Sequence, residues 1–328
     1  MNRRGITALT RPAGLARAAL ALAFLGLAPA AGAEYPDRPL TIINPYATGS
    51  QTDAVARALA DSFAQTLGQP VVVVNREGGS GVVGLRALMA SAPDGHTLAF
   101  SPMVPLGIQP HLVRNTGLGP EAVAPICNVT ENILGVMVRA DSPWRTLPDL
   151  VAAARQRGLT FGSPGPNSAP AIGVARLAKA AGGEYIHAPF RSDAAALLEV
   201  KAGRLDFGAI VVASGVPMAR AGETRLLATF SLRRHPEFPD VATAREQGIE
   251  AVELSAAGLF APRDTPAPVL ARLEAACQVA LGSEGLRNVA LRWAVLPEFL
   301  GRAAFGRRIA EDHESHGRVL RELGVEPQ

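Results

Sequence analysis

Residues 40–84 decide the fold; they read LTIINPYATGSQTDAVARALADSFAQTLGQPVVVVNREGGSGVVG. The apolar run at 40–44 predicts a buried strand, and a turn of small residues at 47–51 follows it. The next segment predicts an amphipathic helix, because its apolar residues recur every fourth position: Val55, Leu59, Phe63 and Leu67. The four valines at 71–74 are typical of a strand covered on both faces. The stretch therefore predicts a strand–helix–strand unit.

The same alternation continues along the chain. We predict that Thr52 or Asp53 caps the first helix. A second glycine-rich turn at 75–84 precedes a helix, and a third strand spans 96–100. Further strands are predicted at 135–139, 159–162, 185–187, 205–211 and 226–230, and further helices at 147–157, 169–181, 191–202, 266–281 and 303–323. Alternating strands and helices indicate an α/β fold with mostly parallel sheets.

The order of these elements predicts two lobes with a hinged cleft between them. We expect lobe 1 to comprise residues 34–136 and 256–328, and lobe 2 to comprise residues 137–255. The final helix is expected to pack back on lobe 1. A chain that crosses twice between two lobes is typical of hinged binding proteins.

The N-terminus has the layout of a secretory signal. Four arginines and no acidic residue precede an apolar stretch at 18–30, and Ala31-Gly32-Ala33 supplies small residues for a signal peptidase. We expect residues 1–33 to be a signal peptide cleaved after Ala33, which places the mature protein in the periplasm. The alternative is a short membrane anchor, although this stretch is shorter than the roughly 20 residues that span a bilayer.

Charge and cysteine content narrow the function further. The whole chain has 32 basic and 29 acidic residues. Without the four arginines of the signal, the mature chain has 28 basic and 29 acidic residues. A nearly neutral mature chain without a basic stripe predicts no nucleic-acid partner. Cys127 and Cys277 fit no metal-binding spacing. We expect two separate buried thiols; a disulfide is the alternative.

Nine segments in order resemble the periplasmic solute receptors of tripartite tricarboxylate transporters, also called Bug receptors. They are YPDRPL (35–40), NPYATGSQTD (44–53), LGQPVVVVNREGGSGVVG (67–84), APDGHTL (92–98), FGSPGPNSAP (161–170), HAPFRS (187–192), GRLDF (203–207), FPDVATAREQG (238–248) and GLFAP (258–262).

The resemblance implies a two-lobed, type II-like periplasmic binding protein that is not an enzyme. It would capture a small organic carboxylate by lobe closure and deliver it to the permease subunits of a tripartite carboxylate transporter. We expect a monomer with no cofactor and no metal. The chain departs from the family pattern at Ala47, Thr48, Ser50, Val82, Ala171 and Ser192, and several of these residues lie at the expected cleft. These departures concern the identity of the bound carboxylate more than the fold.

The candidate ligand-binding residues lie in turns that follow predicted strands. Such turns offer free backbone N–H groups and the positive end of a helix dipole to an anion. In parallel α/β sheets ligands bind at the carboxyl ends of the strands, where these turns lie. The candidates are Tyr46, Thr48, Gly49, Ser50, Ser80, Gly81 and Ser101 in lobe 1, and Ser163, Asn167, Ser168, Arg191 and Asp193 in lobe 2. The alternative is that they are ordinary cap and turn residues.

Other polar residues are weaker candidates for contact with a ligand. Arg76 could pair with an acidic ligand, whereas His187 and Asp206 are expected to be structural. An exported hydrolase is a competing function, supported by Ser163 in a glycine turn with His187 downstream, but the GxSxG pattern is absent. A ligand-presenting sensor component for a receptor kinase is a further alternative that uses the same cleft.

Overall fold

A single long strand belongs to both halves of the fold. The computed structural model describes Met1, residues 35–165 and residues 167–328, so the predicted signal peptide lies outside the described residues. All elements below lie in Arg38–Gln328, which forms one compact unit. The strands are β1 (Leu40–Asn44), β2 (Val71–Asn75), β3 (Thr97–Pro102), β4 (Val123–Arg139), β5 (Leu159–Ser163), β6 (Tyr185–Pro189), β7 (Phe207–Val211), β8 (Thr224–Thr229), β9 (Leu254–Pro262) and β10 (Leu296–Gly301).

The helices lie between these strands and after β9. They are α1 (Gln51–Leu67), α2 (Val82–Met89), α3 (Val104–Gly107), α4 (Leu147–Gln156), α5 (Ala169–Ala181), α6 (Asp193–Lys201), α7 (Val212–Arg220), α8 (Ala267–Leu281), α9 (Glu284–Trp293) and α10 (Arg302–Glu322). Within the described residues, no helix is both long enough and apolar enough to cross a membrane.

The sheet is parallel at both flanks and antiparallel around β4. On one flank β1 pairs in parallel with β2 and β3, and on the other β5 pairs in parallel with β6 and β7. Between them, residues 123–133 of β4 pair with antiparallel β9, whereas residues 134–139 pair with antiparallel β7 and β8. The strand order is β2-β1-β3-β9-β4-β7-β5-β6. β4 therefore joins two sheets into one continuous structure.

Local sequence explains where the helices begin. The Ser50 hydroxyl accepts a hydrogen bond from Asp53 N and caps α1, so the cap lies two residues before the earlier of the two predicted positions. Ser168 caps α5 in the same way, and α5 has the predicted bounds. Thr146 and Asp149 form a reciprocal capping box at α4. A hydroxyl at each of these positions satisfies an N–H that the helix leaves free.

The final helix packs against the cores of both sheets. Phe305 belongs to a buried cluster with Ile43 and Phe260, whereas Leu320 belongs to a cluster with Phe161 and several other side chains of the second sheet. Packing on the first lobe alone was expected. With 21 residues, α10 is about 32 Å long, and its buried side chains belong to both cores.

The two cysteines form a disulfide, which corrects the expectation of separate thiols. Cys127 lies on β4 and Cys277 on α8, and both are fully buried. They are 150 residues apart in sequence, so the chain pattern could not show that α8 packs over β4.

Candidate functional site

A cleft of about 430 Å³ lies where the two sheets join. Residues after β1, β2, β3 and β5 and the last residue of β7 line it, which is the carboxyl-end location that parallel strands favour. β4 and β9 contribute side chains from the junction itself. The lining residues are Tyr46, Ser80, Pro102, Val104, Gln109, Leu112, Asn132, Leu134, Pro164, Gly165, Asn167, Ser168, Ala169, Pro170, Val211 and Ser255.

Four of the predicted site residues line this cleft: Tyr46, Ser80, Asn167 and Ser168. The Tyr46 hydroxyl donates to the Ser80 carbonyl oxygen at 3.3 Å, which ties together the first two turns. Burial raises the pKa of Tyr46 to about 12, so the phenol keeps its proton. Tyr46 therefore presents a neutral hydroxyl to the cleft.

Gly81 is needed for the close approach of the second turn to its neighbours, although it is not one of the lining residues. Its φ is +97°, and a Cβ there would lie 2.7 Å from Pro105 Cγ and 3.5 Å from the Tyr46 hydroxyl. A side chain would therefore clash with Pro105, and it would also have to adopt a positive φ that favours glycine.

The first turn is held from behind by Asp53. The buried Asp53 carboxylate accepts hydrogen bonds from Gly49 N at 3.0 Å, from the Arg57 guanidinium and from Asn75 Nδ2. Burial by itself would raise the pKa of Asp53, but these hydrogen bonds lower it to about 2. Thr48 and Gly49 are exposed, and both lie outside the cleft lining together with Ser50.

The turn after β5 is built around a fully buried hydroxyl. Ser163 Oγ lies 2.8 Å from His187 Nε2, 3.2 Å from Ser168 Oγ and 3.0 Å from the Gly165 carbonyl oxygen. The His187 ring stacks on Phe161, and burial lowers the pKa of His187. Ser163 has no exposed surface in this structure, and its hydroxyl contacts Ser168, which does line the cleft.

The remaining predicted residues lie away from the lining. Ser101 is buried and donates to the neighbouring Pro102 carbonyl oxygen, and the Arg191 side chain is exposed, as is that of Arg76. Asp193 begins α6 and accepts a hydrogen bond from Ser214 Oγ at 3.0 Å. Burial raises the pKa of Asp193 to about 6.

Sequence reasoning missed the amide and hydroxyl groups at the sheet junction. Asn132 and Ser255 lie on β4 and β9, and Gln109 lies in a short 3-10 helix after α3. Strand 135–139 was predicted to begin after Asn132, so its position gave no signal. The one available indication of a site residue was Asn132 itself, a polar residue close to the apolar run before Gly135.

The cleft offers neutral hydrogen-bonding groups and no charged side chain among its described lining residues. Ser80, Gln109, Asn167 and Ser255 accompany apolar surfaces such as Leu134. The N-terminus of the 13-residue α5 also opens onto the cleft at Ala169. Such groups can hold an anion through hydrogen bonds and a helix dipole without an ion pair.

The joined sheets and this cleft define a two-lobed solute-binding protein of the periplasmic binding protein class. Residues 55–325 match the tripartite tricarboxylate transporter family receptor, and the chain belongs to this family. The α/β two-lobed fold and the resemblance carried by the nine motifs are therefore confirmed.

Three relatives illustrate the similarity. A protein encoded in the tcbD–tcbE intergenic region of Pseudomonas sp. strain P51 is 32% identical over 282 residues, covering 79% of this chain and 80% of its own. A TctC solute-binding protein from Polaromonas, solved without ligand, has a TM-score of 0.80 and 28% identity, with 88% and 99% coverage. MatC from Rhodopseudomonas palustris, solved with bound malate, has a TM-score of 0.70 and 27% identity, with 87% and 100% coverage.

Proposed function

We propose that this protein is a periplasmic receptor that captures a small organic carboxylate in the cleft at the β4 junction and delivers it to a tripartite tricarboxylate-type permease. The observation that carries the proposal is the cleft lined with neutral hydrogen-bonding groups, in a chain of the receptor family. The malate bound to MatC supports a carboxylate as the ligand class. The protein acts by binding rather than by catalysis.

The arrangement of the sheets supports the proposed capture step. Lobe 1 comprises residues 34–136 and 256–328, and lobe 2 comprises residues 137–255. β4 pairs with β9 in its first part and with β7 and β8 in its second part, which supports a hinge at this crossing. Lobe closure over the cleft would remove water from the carboxylate.

A carboxylate that loses its water needs replacement donors. The amides of Gln109, Asn132 and Asn167 and the hydroxyls of Ser80 and Ser255 are available for this. Apolar side chains such as Val104 and Leu134 would cover the carbon skeleton. This combination of a few polar groups on an apolar surface is the usual composition of a small-molecule site.

Titration calorimetry with acetate, succinate, L-malate and citrate tests the proposal. We expect at least one of these acids to bind. Its binding should raise the free energy of unfolding by about 2.7 kcal/mol at a hundredfold excess over Kd. If none of the four acids binds or stabilises the protein, the proposed function is wrong.

A matched pair of variants places the binding in the cleft. Asn167→Asp introduces an anion among the lining residues and should weaken the binding of the best acid by about tenfold or more. Asn288→Asp makes the same change on the exposed face of α9 and should leave the Kd within about twofold, because surface charges are screened. Equal effects of the two changes would exclude this cleft as the carboxylate site.

A further inference from the structure

A buried histidine joins the segment that follows β8 to the segment that precedes β10. β8 pairs with residues 135–139 of β4, whereas β10 pairs with residues 127–131. His235 lies in the segment after β8, and its Nε2 is 3.2 Å from the carbonyl oxygen of Ala294, which lies between α9 and β10. The contact therefore spans the part of β4 where one sheet passes into the other.

The two partners of the His235 ring fix its protonation. The backbone N–H of Glu237 donates to Nδ1 at 3.1 Å, so Nδ1 is the nitrogen without a proton. The Ala294 carbonyl oxygen can only accept, so Nε2 carries the hydrogen. Only 1% of His235 is exposed. The contact therefore requires a neutral imidazole in one tautomer.

A second proton on His235 would disturb this arrangement in two ways. It would place an N–H at Nδ1 against the N–H of Glu237, and it would place a charge where almost no surface is exposed, which is costly. Turning the ring out to water relieves both, but it breaks the hydrogen bond to Ala294. A cavity of about 300 Å³ beside the ring, also lined by Leu291 and Pro297, gives the ring room to turn.

The charges around His235 do not remove this penalty. Three ion pairs lie in the same segments and their neighbours: Arg220 with Glu237, Arg233 with Glu298, and Arg234 with Glu246. Arg287 of α9 lines the same cavity as His235 and adds a further positive charge. Burial lowers the pKa of His235 below its ordinary value of 6.5, although the bond to Ala294 and the charge of Glu237 act in the opposite direction.

We propose that His235 is a pH-sensitive latch that joins the two sheets across β4 while it is neutral and releases the joint when it is protonated. The latched state binds a proton less well than a state with the ring in water, so falling pH favours release. The Arg233–Glu298 pair crosses at the same place, but 64% of the Arg233 side chain is exposed, so this pair is a weak tie. The inference does not depend on which ligand the cleft binds.

Trp293 provides an optical probe of the joint. It immediately precedes Ala294 and is partly buried, and the chain has one other tryptophan, Trp144, which Trp144→Phe removes. We expect the emission maximum of Trp293 to move to longer wavelength as the pH falls from about 8 to about 5, with a midpoint below 6.5. Circular dichroism checks that the protein stays folded. An emission maximum that stays constant in folded protein over this range would overturn the inference.

Two glutamine variants, each combined with Trp144→Phe, identify the responsible histidine. His235→Gln does not titrate and keeps an N–H that can donate to Ala294, so the shift should disappear. His111→Gln is the matched control, because His111 Nε2 also donates to a carbonyl oxygen, that of His313 at 2.9 Å, and burial also lowers the pKa of His111. The shift should persist in this control. A shift that persists in His235→Gln, or that is lost in both variants, would refute the role of His235.

Nitrogen NMR of wild-type protein with isotope-labelled histidine tests the latch without any substitution. Spectra at about pH 8 distinguish the two neutral tautomers of a histidine. We expect His235 to carry its proton on Nε2 and to titrate with the same midpoint as the Trp293 emission. A proton on Nδ1 at this pH, or a midpoint above 6.5, would overturn the inference.

Discussion

Asp53 illustrates how a residue beside the cleft can matter for stability rather than for contact with a ligand. Its carboxylate, with only 4% of its side chain exposed, receives hydrogen bonds from Gly49, Arg57 and Asn75. The pKa of Asp53 falls from 3.8 to about 2 because these bonds outweigh its burial. A group whose pKa is lowered on folding stabilises the native state above its unfolded pKa and loses that contribution as pH falls through the folded pKa.

We expect Asp53→Asn to lower the free energy of unfolding by about 2 kcal/mol at pH 7, following the size of the pKa shift. The difference from wild type should shrink as the pH falls from about 4 toward 2. Urea unfolding at a series of pH values measures this. Asp141→Asn is the control, because Asp141 is 70% exposed and its pair with Arg139 should contribute less than about 1 kcal/mol. A difference for Asp53→Asn that stays constant down to pH 2 would contradict the assignment.

Ser163 has the neighbours of a nucleophile but not the exposure of one. Its hydroxyl lies 2.8 Å from His187 Nε2 and is completely buried. Ser163→Ala should lower the free energy of unfolding by about 1 kcal/mol, because it removes a buried hydroxyl that bonds to the partly buried His187 ring, to Ser168 and to the Gly165 carbonyl oxygen. Thermal unfolding measures this change.

The same variant bears on the hydrolase alternative. Hydrolysis of an ester substrate such as p-nitrophenyl acetate by wild-type protein, abolished by Ser163→Ala, would favour an enzyme. Any background hydrolysis that is equal in the two proteins agrees with a structural serine. Ser163→Thr serves as a comparison, since it retains the hydroxyl.

At the scale of elements, α5 and α10 are connected through a buried carboxylate. Glu253, just before β9, accepts hydrogen bonds from Arg176 Nε on α5 and from His316 Nε2 on α10, each at 2.6 Å. Arg176 also donates to Ser315 on α10 at 2.8 Å. Since only 2% of the Glu253 side chain is exposed, its removal would leave a largely buried guanidinium without its counter-charge.

Glu253→Ala should therefore lower the free energy of unfolding by about 3 kcal/mol or more. Glu322→Ala is the matched control, because Glu322 joins the same two helices by pairing with Lys179 at 2.7 Å, but both side chains of this pair are at least half exposed. This surface pair should contribute less than about 1 kcal/mol. Denaturant unfolding of both variants compares them directly, and similar losses would show that Glu253 has no special role.

Much of the element order could be predicted, because hydrophobic spacing is a local property of the sequence. The bounds of α5 agree with its Ser168 cap and its glycine end. The elements missed were α3, α7, α9, β9, β10 and the first part of β4. Pro217 lies inside α7 and Pro125 lies inside β4. Proline is unfavourable inside a helix or a strand, so a sequence pattern that contains it argues against either element.

The candidate site was harder to predict than the fold. Tyr46, Ser80, Asn167 and Ser168 lie in glycine-rich turns, which local sequence reveals. Asn132 and Ser255 reach the cleft only because β4 and β9 pair across more than 120 positions. Contacts of that range depend on the strand register, and a single sequence carries no local signal of it.

At the scale of the whole molecule, the disulfide links the junction strand to α8. It closes a loop of 150 residues that contains all of the second sheet, and such loops lower the entropy of the unfolded chain substantially. We expect Cys127→Ala with Cys277→Ala to lower the free energy of unfolding by about 2–5 kcal/mol. Dithiothreitol should destabilise the wild-type protein and leave the double variant unchanged. A wild-type protein unaffected by full reduction would contradict this expectation.

The uncharged lining of the cleft has a consequence for the rate at which it is filled. Attraction between an anionic solute and a cationic pocket is screened by salt, and association then slows steeply as ionic strength rises. No charged side chain lines the described part of this cleft, so that long-range attraction is missing. Stopped-flow association of succinate or L-malate should therefore change by less than about twofold between low and physiological salt. The rate of ligand capture would then be nearly independent of the ionic strength of the surroundings.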